Sequence, residues 1–177
     1  PNKNMGIQEG VLYLQEPSQP HGLRLPVDYF LRSLAKERGA NAICIILSGT
    51  GSDGTLGLRA IKTELGTVFV QEPKSAKYDG MPRSAINTGL ADFVLPPEEM
   101  PQQLIQFIKR LTVKSTRGRV VAETSEKPLQ QIFAILRTRT GHDFSEYKQT
   151  TILRRLERRM LVNGIDNISD YAQFLEA

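Results

Sequence analysis

The tightest constraint on the fold is one unit of sequence: Ala42-Ile43-Cys44-Ile45-Ile46-Leu47, then Ser48-Gly49-Thr50-Gly51-Ser52-Asp53-Gly54, then Leu58, Ile61 and Leu65. The first six residues are apolar without alternation, the pattern of a strand buried on both faces of a parallel sheet. The last three recur at helical spacing as far as Gly66, where a left-handed cap is expected. Strand, glycine-rich turn and helix form half of a βαβ crossover, and the pattern repeats. Thr67-Val68-Phe69-Val70 reads as the next strand, Pro82 to Ala85 opens a short helix closing near Gly89, and Asp92-Phe93-Val94-Leu95 is a further strand. A helix from Pro97 has Glu98 and Glu99 in its first turn and Lys109 and Arg110 in its last, and buries Met100, Leu104, Ile108 and Leu111. The expectation is an α/β fold, part of a doubly wound, mainly parallel sheet.

Residues 1–25 are rich in turn formers around one alternating segment, Val11-Leu12-Tyr13-Leu14, which reads as a strand. Pro26 suits the first turn of a helix that puts Phe30, Leu31, Leu34 and Ala35 on one side up to Gly39. Residues 113–125, VKSTRGRVVAETS, are polar and aperiodic and read as a linker. Beyond them the pattern is helical throughout: Leu129, Ile132, Phe133 and Leu136 up to Gly141, Ile152, Leu153, Leu156 and Met160 up to Gly164, then Tyr171, Phe174 and Leu175. The expected organisation is therefore an α/β stretch 1–112, a linker 113–125 and a small all-α module 126–177.

A hydrophobic content of 40% suffices for packed cores. Of the formal +4, residues 1–112 contribute +1 (12 basic against 11 acidic) and residues 113–177 contribute +3 (11 against 8), so the basicity lies in the helical part. The only cysteine, Cys44, sits in an apolar run, which reads as a buried core residue and suits a reducing cytoplasm. No apolar run approaches the roughly 18 residues that span a bilayer, and the start, PNKNMGIQEG, has neither a signal-like pattern nor an initiator methionine. The expectation is a cytoplasmic piece of a longer protein, without membrane insertion.

The turn Gly49-Thr50-Gly51-Ser52-Asp53-Gly54 fits G-x-G-x-x-G, with Glu72 just after the next strand where a ribose-binding acid would stand. Against a dinucleotide-binding oxidoreductase domain, the Asp53 carboxylate would occupy the helix N-terminus that the pyrophosphate needs. Two like charges about 4 Å apart repel by on the order of 4 kcal/mol at an effective dielectric near 20, more than the roughly 0.3–1 kcal/mol a helix terminus offers one anion. A second reading makes Asp53 the product of the turn, a carboxylate at the carboxyl end of a parallel strand that orients a histidine. A third makes it a plain N-cap of its own helix. His21 and His142 have no visible pairing, Ser52 misses a G-x-S-x-G elbow by one residue, and no His/Cys cluster has metal-ligand spacing.

ILSGTGSDGTLGLRAIK, followed by VQEPKSAKYDGMPRSAINTGLADFVLPPEEMP, resembles the carboxyl-terminal half of the catalytic domain of the CheB family of chemotaxis protein-glutamate methylesterases. The resemblance implies a Ser-His-Asp triad hydrolysing γ-glutamyl methyl esters on receptor helices, with Asp53 as the catalytic aspartate. It also implies Gly49, Gly51 and Gly54 as active-site loop glycines, Thr50 on the oxyanion side through its backbone, and Gly80, Met81 and Pro82 as a loop near the site. The family's serine and histidine would lie upstream of Pro1. Thr50 stands where many relatives carry methionine.

The tail LQQIFAILRTRTGHDFSEYKQTTILRRLERRMLVNGIDNISDYAQFLEA is similar to the amino-terminal helical domain of the CheR family of receptor methyltransferases. Together the two resemblances imply a methylesterase–methyltransferase fusion, with S-adenosylmethionine as cofactor of the parent transferase, no cofactor in this stretch, and neither activity in residues 1–177 alone. From spacing, Arg154, Arg155, Arg158 and Arg159 gather on one side of a helix and predict a cationic ridge. Its expected partner is an acidic helical protein, which the resemblance specifies as methyl-accepting chemotaxis receptors. Nucleic acid is not expected, since no aromatic residues interleave with the arginines. A non-enzymatic receptor-binding module stands as a third alternative.

Overall fold

The computed structural model describes residues 2–20, 24–116 and 126–177, so His21 and positions 117–125 of the expected linker lie outside it. Two compact units emerge, Pro1–Pro101 and Gln102–Ala177.

The first unit opens with a hairpin, β1 (Asn4–Gln8) and β2 (Val11–Gln15), paired antiparallel with Gln8 opposite Val11. Glu9 and Gly10 both have positive φ, the twist that a tight hairpin turn requires. The sequence pointed only to β2. Strand β1 was missed because Gly6 interrupts its apolar alternation. A Cβ at position 6 would run into the Tyr13 ring on the opposite strand, which is why glycine stands there. The hairpin is tied to helix α1 (Pro26–Arg38), with Ile7 N–H donating to Ser33 Oγ at 3.1 Å and Gly10 N–H to Glu37 Oε1 at 2.8 Å.

Then come β3 (Ile43–Ile46), α2 (Thr55–Thr63), β4 (Thr67–Gln71), α3 (Gly80–Asn87) and β5 (Phe93–Leu95). The three strands are parallel in the order β3-β4-β5, with Ile45, Phe69 and Phe93 in one row. This is the expected α/β sheet, its strands in consecutive order with α2 and α3 as crossovers. The central strand β4 is buried at every position, and Phe69 stacks on Phe93. Strand β3 departs from expectation: Cys44 and Ile46 are buried but Ile45 and Leu47 are exposed. It pairs on one side only, and among the described residues one face of it stays uncovered, so its apolar run does not mean two buried faces. Burial pushes the Cys44 thiol up to about 12, as a neutral core group.

The core of this unit joins Leu31 and Ala35 of α1, Cys44 and Ile46 of β3, Leu58 and Ile61 of α2, and Val68 and Val70 of β4. Helix α2 ends differently from the reading. Leu65, not Gly66, takes the left-handed φ of 65°, at a cost of about 1–2 kcal/mol for a side chain. Glycine is needed at 66 for space, because a Cβ there would lie 2.9 Å from the Ala42 carbonyl oxygen.

Helix α4 (Met100–Thr116) starts three residues after the expected Pro97 and runs through the first four residues of the expected linker. Along it Phe107 is buried and Ile108 exposed, the reverse of the sequence assignment for 108. The second unit continues with α5 (Glu126–Thr140), α6 (Gln149–Asn163) and α7 (Ile168–Glu176). Its core holds Leu129, Ile132 and Phe133 of α5, Ile152, Leu156 and Met160 of α6, and Tyr171 and Ala172 of α7. Gly164 closes α6 in the left-handed conformation and Asn167 caps α7 by accepting from Asp170 N–H at 2.8 Å. Phe174, expected inside, is exposed.

One buried ion pair staples the end of α2 to the start of β5. The Asp92 side chain is fully buried and accepts from Lys62 Nζ at 2.8 Å on both oxygens and from Val68 N–H at 2.9 Å. Lys62→Met would remove the cation that neutralises that carboxylate. The expected loss is about 3 kcal/mol, at the low end for breaking a buried pair because Lys62 keeps some solvent, and it is read as a lower urea midpoint by circular dichroism.

Candidate active site around Asp53

Helix α1 begins after Leu25 and helix α2 after Gly54, so neither has an oxygen-bearing residue at its N-cap. Each helix start leaves backbone N–H groups without intrahelical partners, and here each is satisfied from the other helix. Asp53, in the turn before α2, accepts from Val27 N–H at 3.0 Å through Oδ2 and from Asp28 N–H at 2.9 Å through Oδ1. Asp28, in the first turn of α1, accepts from Gly57 N–H at 2.6 Å through Oδ1. The two carboxylates are exchanged as caps. Gly57 makes the crossing possible, since a Cβ there would meet Leu31 Cβ at 2.5 Å and the Asp28 backbone at 3.1 Å.

Asp53 is therefore a cap, but not of its own helix as one reading had it. The anion seat at the start of α2 is occupied by Asp28, whose role the sequence reading missed. The signal was present: an acid two residues after Pro26, and helix starts at Leu25 and Gly54 without any side-chain oxygen. The same occupancy removes the pyrophosphate position that a dinucleotide would need, with Asp28 in the part assigned to Asp53.

Asp53 is half-buried. Each of its oxygens accepts one backbone N–H, and a carboxylate oxygen has two lone pairs. Its plane is thus fixed by α1 while an acceptor direction stays open on each oxygen, the arrangement that can hold an imidazole N–H.

The rest of the turn is zipped to the loop before α3. Gly49 N–H donates to the Tyr78 carbonyl at 2.8 Å, Met81 N–H to the Gly49 carbonyl at 2.8 Å, and Tyr78 N–H to Ser48 Oγ at 2.9 Å. Gln71, buried at the end of β4, accepts from Ser48 N–H at 2.8 Å through Oε1. Gly80 lies over Gly51 so closely that a Cβ would come within 3.0 Å of Gly51 N, and the Met81 side chain fills the place of a Cβ on Gly49. Gly51 and Gly54 have φ of 79° and 96°, which their lack of a side chain allows. The structure thus brings together Gly49, Gly51, Gly80 and Met81, with Pro82 buried and Thr50 exposed, while Asp53 and Gly54 meet the start of α1 instead. His142 is exposed in the helical unit and takes no part in this cluster.

Residues 1–104 match the CheB methylesterase family over more than half the chain. The chain belongs to that family. Residues 127–177 match the all-alpha domain of CheR methyltransferase. A 104.1 kDa protein of the hypE 3′ region of Rhodobacter capsulatus is 33% identical over 90% of this chain and 19% of its own length. A protein-glutamate methylesterase/protein-glutamine glutaminase of Moorella thermoacetica is 36% identical over 59% of the chain and 23% of its own length. The chain thus spans about a fifth of these curated relatives. The crystal structure of the CheB methylesterase catalytic domain of Thermotoga maritima is similar at 33% identity with a TM-score of 0.53, over 59% of this chain and 57% of that one.

On α6 the expected ridge is only partly exposed. Arg154, Arg155 and Arg159 are exposed, but Arg158 is buried with its guanidinium 4.9 Å from the centre of the Phe107 ring. Helical spacing places 158 beside 154 and 155, but it does not reveal that an aromatic ring covers it.

The exchanged caps of this CheB-family unit yield a coupling that a double-mutant cycle measures. Asp28→Ala and Asp53→Ala each cost about 1–3 kcal/mol, as buried or half-buried charged hydrogen bonds do. The double variant costs less than the sum by about 0.5 kcal/mol or more, because each change disorders the helix start that carries the other. Strict additivity in urea denaturation would contradict the exchange.

Proposed function

We propose that residues 1–112 are part of a protein-glutamate methylesterase domain in which Asp53 orients the catalytic histidine. In the same reading residues 126–177 are the N-terminal domain of a receptor-glutamate methyltransferase in the same cytoplasmic protein, joined through 113–125. The observation that carries it is the Asp53 carboxylate, held by two backbone N–H groups with an acceptor direction free on each oxygen. A serine and a histidine from chain preceding residue 1 would complete the triad. The serine Oγ attacks the γ-ester carbonyl as the histidine takes its proton. The proton then passes to the departing methoxide, releasing methanol, and water hydrolyses the acyl-enzyme to the glutamate carboxylate. Asp53 fixes the imidazole tautomer and stabilises the imidazolium. Donors around Thr50 face the developing oxyanion, with Gly49, Gly51, Gly54, Gly80, Met81 and Pro82 shaping the turn. Residues 1–177 alone carry out neither reaction in this proposal.

S-adenosylmethionine is the methyl donor the CheR-type domain implies for the whole protein. Among the described residues the helices α5 to α7 close on an apolar core. The role left to α6 is recognition: Arg154, Arg155 and Arg159 present positive charge to the acidic helices of methyl-accepting chemotaxis receptors. No helix among the described residues is long and apolar enough to cross a membrane.

In the protein that includes the preceding chain, Asp53→Asn lowers ester hydrolysis by roughly 10⁴-fold, the loss seen when the serine-protease aspartate is so changed. Methanol release is assayed well below the melting temperature, since the variant also loses a helix cap, and release near the wild-type rate refutes the role. For the ridge, Arg154→Glu with Arg155→Glu weakens binding to an acidic receptor helix, most at low salt. Unchanged binding removes the ridge from recognition.

A further inference from the structure

A groove of about 600 Å³ runs along the outer side of α1, between the β1–β2 hairpin and the turn at residues 17–19. Three of its lining residues are cations: Arg24, Arg32 and Lys36. None of the three has a carboxylate partner among the described residues, and Arg24 uses only its Nε, donating to the Gln19 carbonyl at 2.9 Å. Tyr13 and Tyr29 add phenol groups in contact with each other at 3.4 Å, with Tyr29 OH donating to Gln15 Oε1. The hydrogen bond with Tyr13 raises the Tyr29 pKa above its usual value.

At the inner end of the groove is Asp28, only 3% exposed, with Oδ2 buried and without a hydrogen-bond partner. The groove is thus graded in charge. Asp28, Arg32 and Lys36 are spaced i, i+4 and i+8 on one face of α1, so the cations stand about 6 and 12 Å along the helix from the acid. The acid end adjoins Asp53, because the backbone N–H of Asp28 is the group that Asp53 Oδ1 accepts. A negative inner end disfavours a carboxylate and tolerates a neutral ester, whereas the outer positions attract carboxylates.

We propose that this groove binds an acidic polypeptide segment, placing glutamate side chains one and two helical turns from the reacting residue against Arg32 and Lys36. The inference rests on the esterase reading of Asp53 for its biological use, but not for the binding itself. A helical segment lying alongside α1 repeats its side chains every 5.4 Å or so, close to the spacing of the two cations. Contacts remote from the reacting group contribute to holding the ester in place without being part of the chemistry.

The probe is a fluorescein-labelled, end-blocked peptide with glutamate at every fourth position and alanine between, compared with its glutamine counterpart. It is titrated by anisotropy at low salt into the full chain carrying Arg154→Glu and Arg155→Glu, so that α6 does not contribute. Saturable one-to-one binding is expected for the glutamate peptide, at least tenfold weaker for the glutamine peptide and at least tenfold weaker when Arg32→Glu and Lys36→Glu are added. Both side chains are exposed, and an unchanged circular dichroism melt shows that the fold is retained. Equal affinity with and without the added changes, equal binding of the glutamine peptide, or a groove that takes up inorganic phosphate but not the peptide would overturn the proposal.

In the longer protein the same pair of changes raises KM for the methylated substrate at least fivefold and leaves kcat in place, and an unchanged KM also counts against the groove. The two readings fail separately. If Asp53→Asn leaves hydrolysis intact while the titration succeeds, the esterase assignment falls and the groove stands. If hydrolysis is lost and the titration fails, only the groove falls.

Discussion

Two helix starts without side-chain oxygens of their own exchange carboxylates, and the position of Asp53 depends on that exchange. Asp53 is not oriented by its own turn alone. Its plane is set by the first turn of α1, and α1 is in turn bound to α2 through Asp28 and the Gly57 N–H. Any residue larger than glycine at 57 would separate the helices and lengthen all three bonds. A carboxylate that must hold another group to within a fraction of an ångström is better supported by two rigid helices than by a loop. The charge of each acid is also matched by the positive end of the opposite helix dipole.

The sheet supplies the second constraint. Strand β4 is buried along its length and delivers Gln71 to the Ser48 N–H, which anchors the beginning of the glycine-rich turn. The loop before α3 anchors the middle, through backbone bonds between Gly49, Tyr78 and Met81. Glycines at 49 and 80 allow these two backbones to approach, and glycines at 51 and 54 take φ values that a side chain would resist. The glycines therefore bring the two loops together on one side of the turn, while its carboxylate meets the start of α1 at Val27 and Asp28. Lys62 and Asp92 hold the far end of the same crossover, where α2 returns to the sheet.

Much of this was legible in the sequence because it is local. The apolar pattern located β3, α2, β4, β5 and the three helices α5 to α7, proline pointed to α3, and the glycine-rich turn singled out Asp53 while leaving open whether it caps a helix or is presented to a partner. What was not legible depends on partners distant in the chain. Strand β1 is interrupted by a glycine whose reason, the ring of Tyr13, lies seven residues away. The exposure of Ile45 reflects how many neighbours β3 has, which its own composition does not encode. Arg158 has the spacing of a surface arginine but is covered by Phe107, fifty-one positions earlier. Asp28 stands where the helix dipole favours any first-turn acid, and only the placement of Gly57 against it turns it into a cap.

The same six-residue pattern G-x-G-x-x-G can cradle a pyrophosphate or present a carboxylate, and the difference lies in who satisfies the helix N–H groups. A phosphate-binding turn leaves them open to the ligand. Here the N–H of Gly57 is taken by Asp28, and the acid inside the motif turns away to serve the neighbouring helix. A buried carboxylate at the mouth of α2 would have to be displaced or neutralised before an anion could enter, against a repulsion of on the order of 4 kcal/mol at contact distance. The helix field is thus already spent on a protein side chain. What remains available at this site is the free acceptor side of Asp53, which suits a hydrogen-bond donor such as an imidazole and not a phosphate.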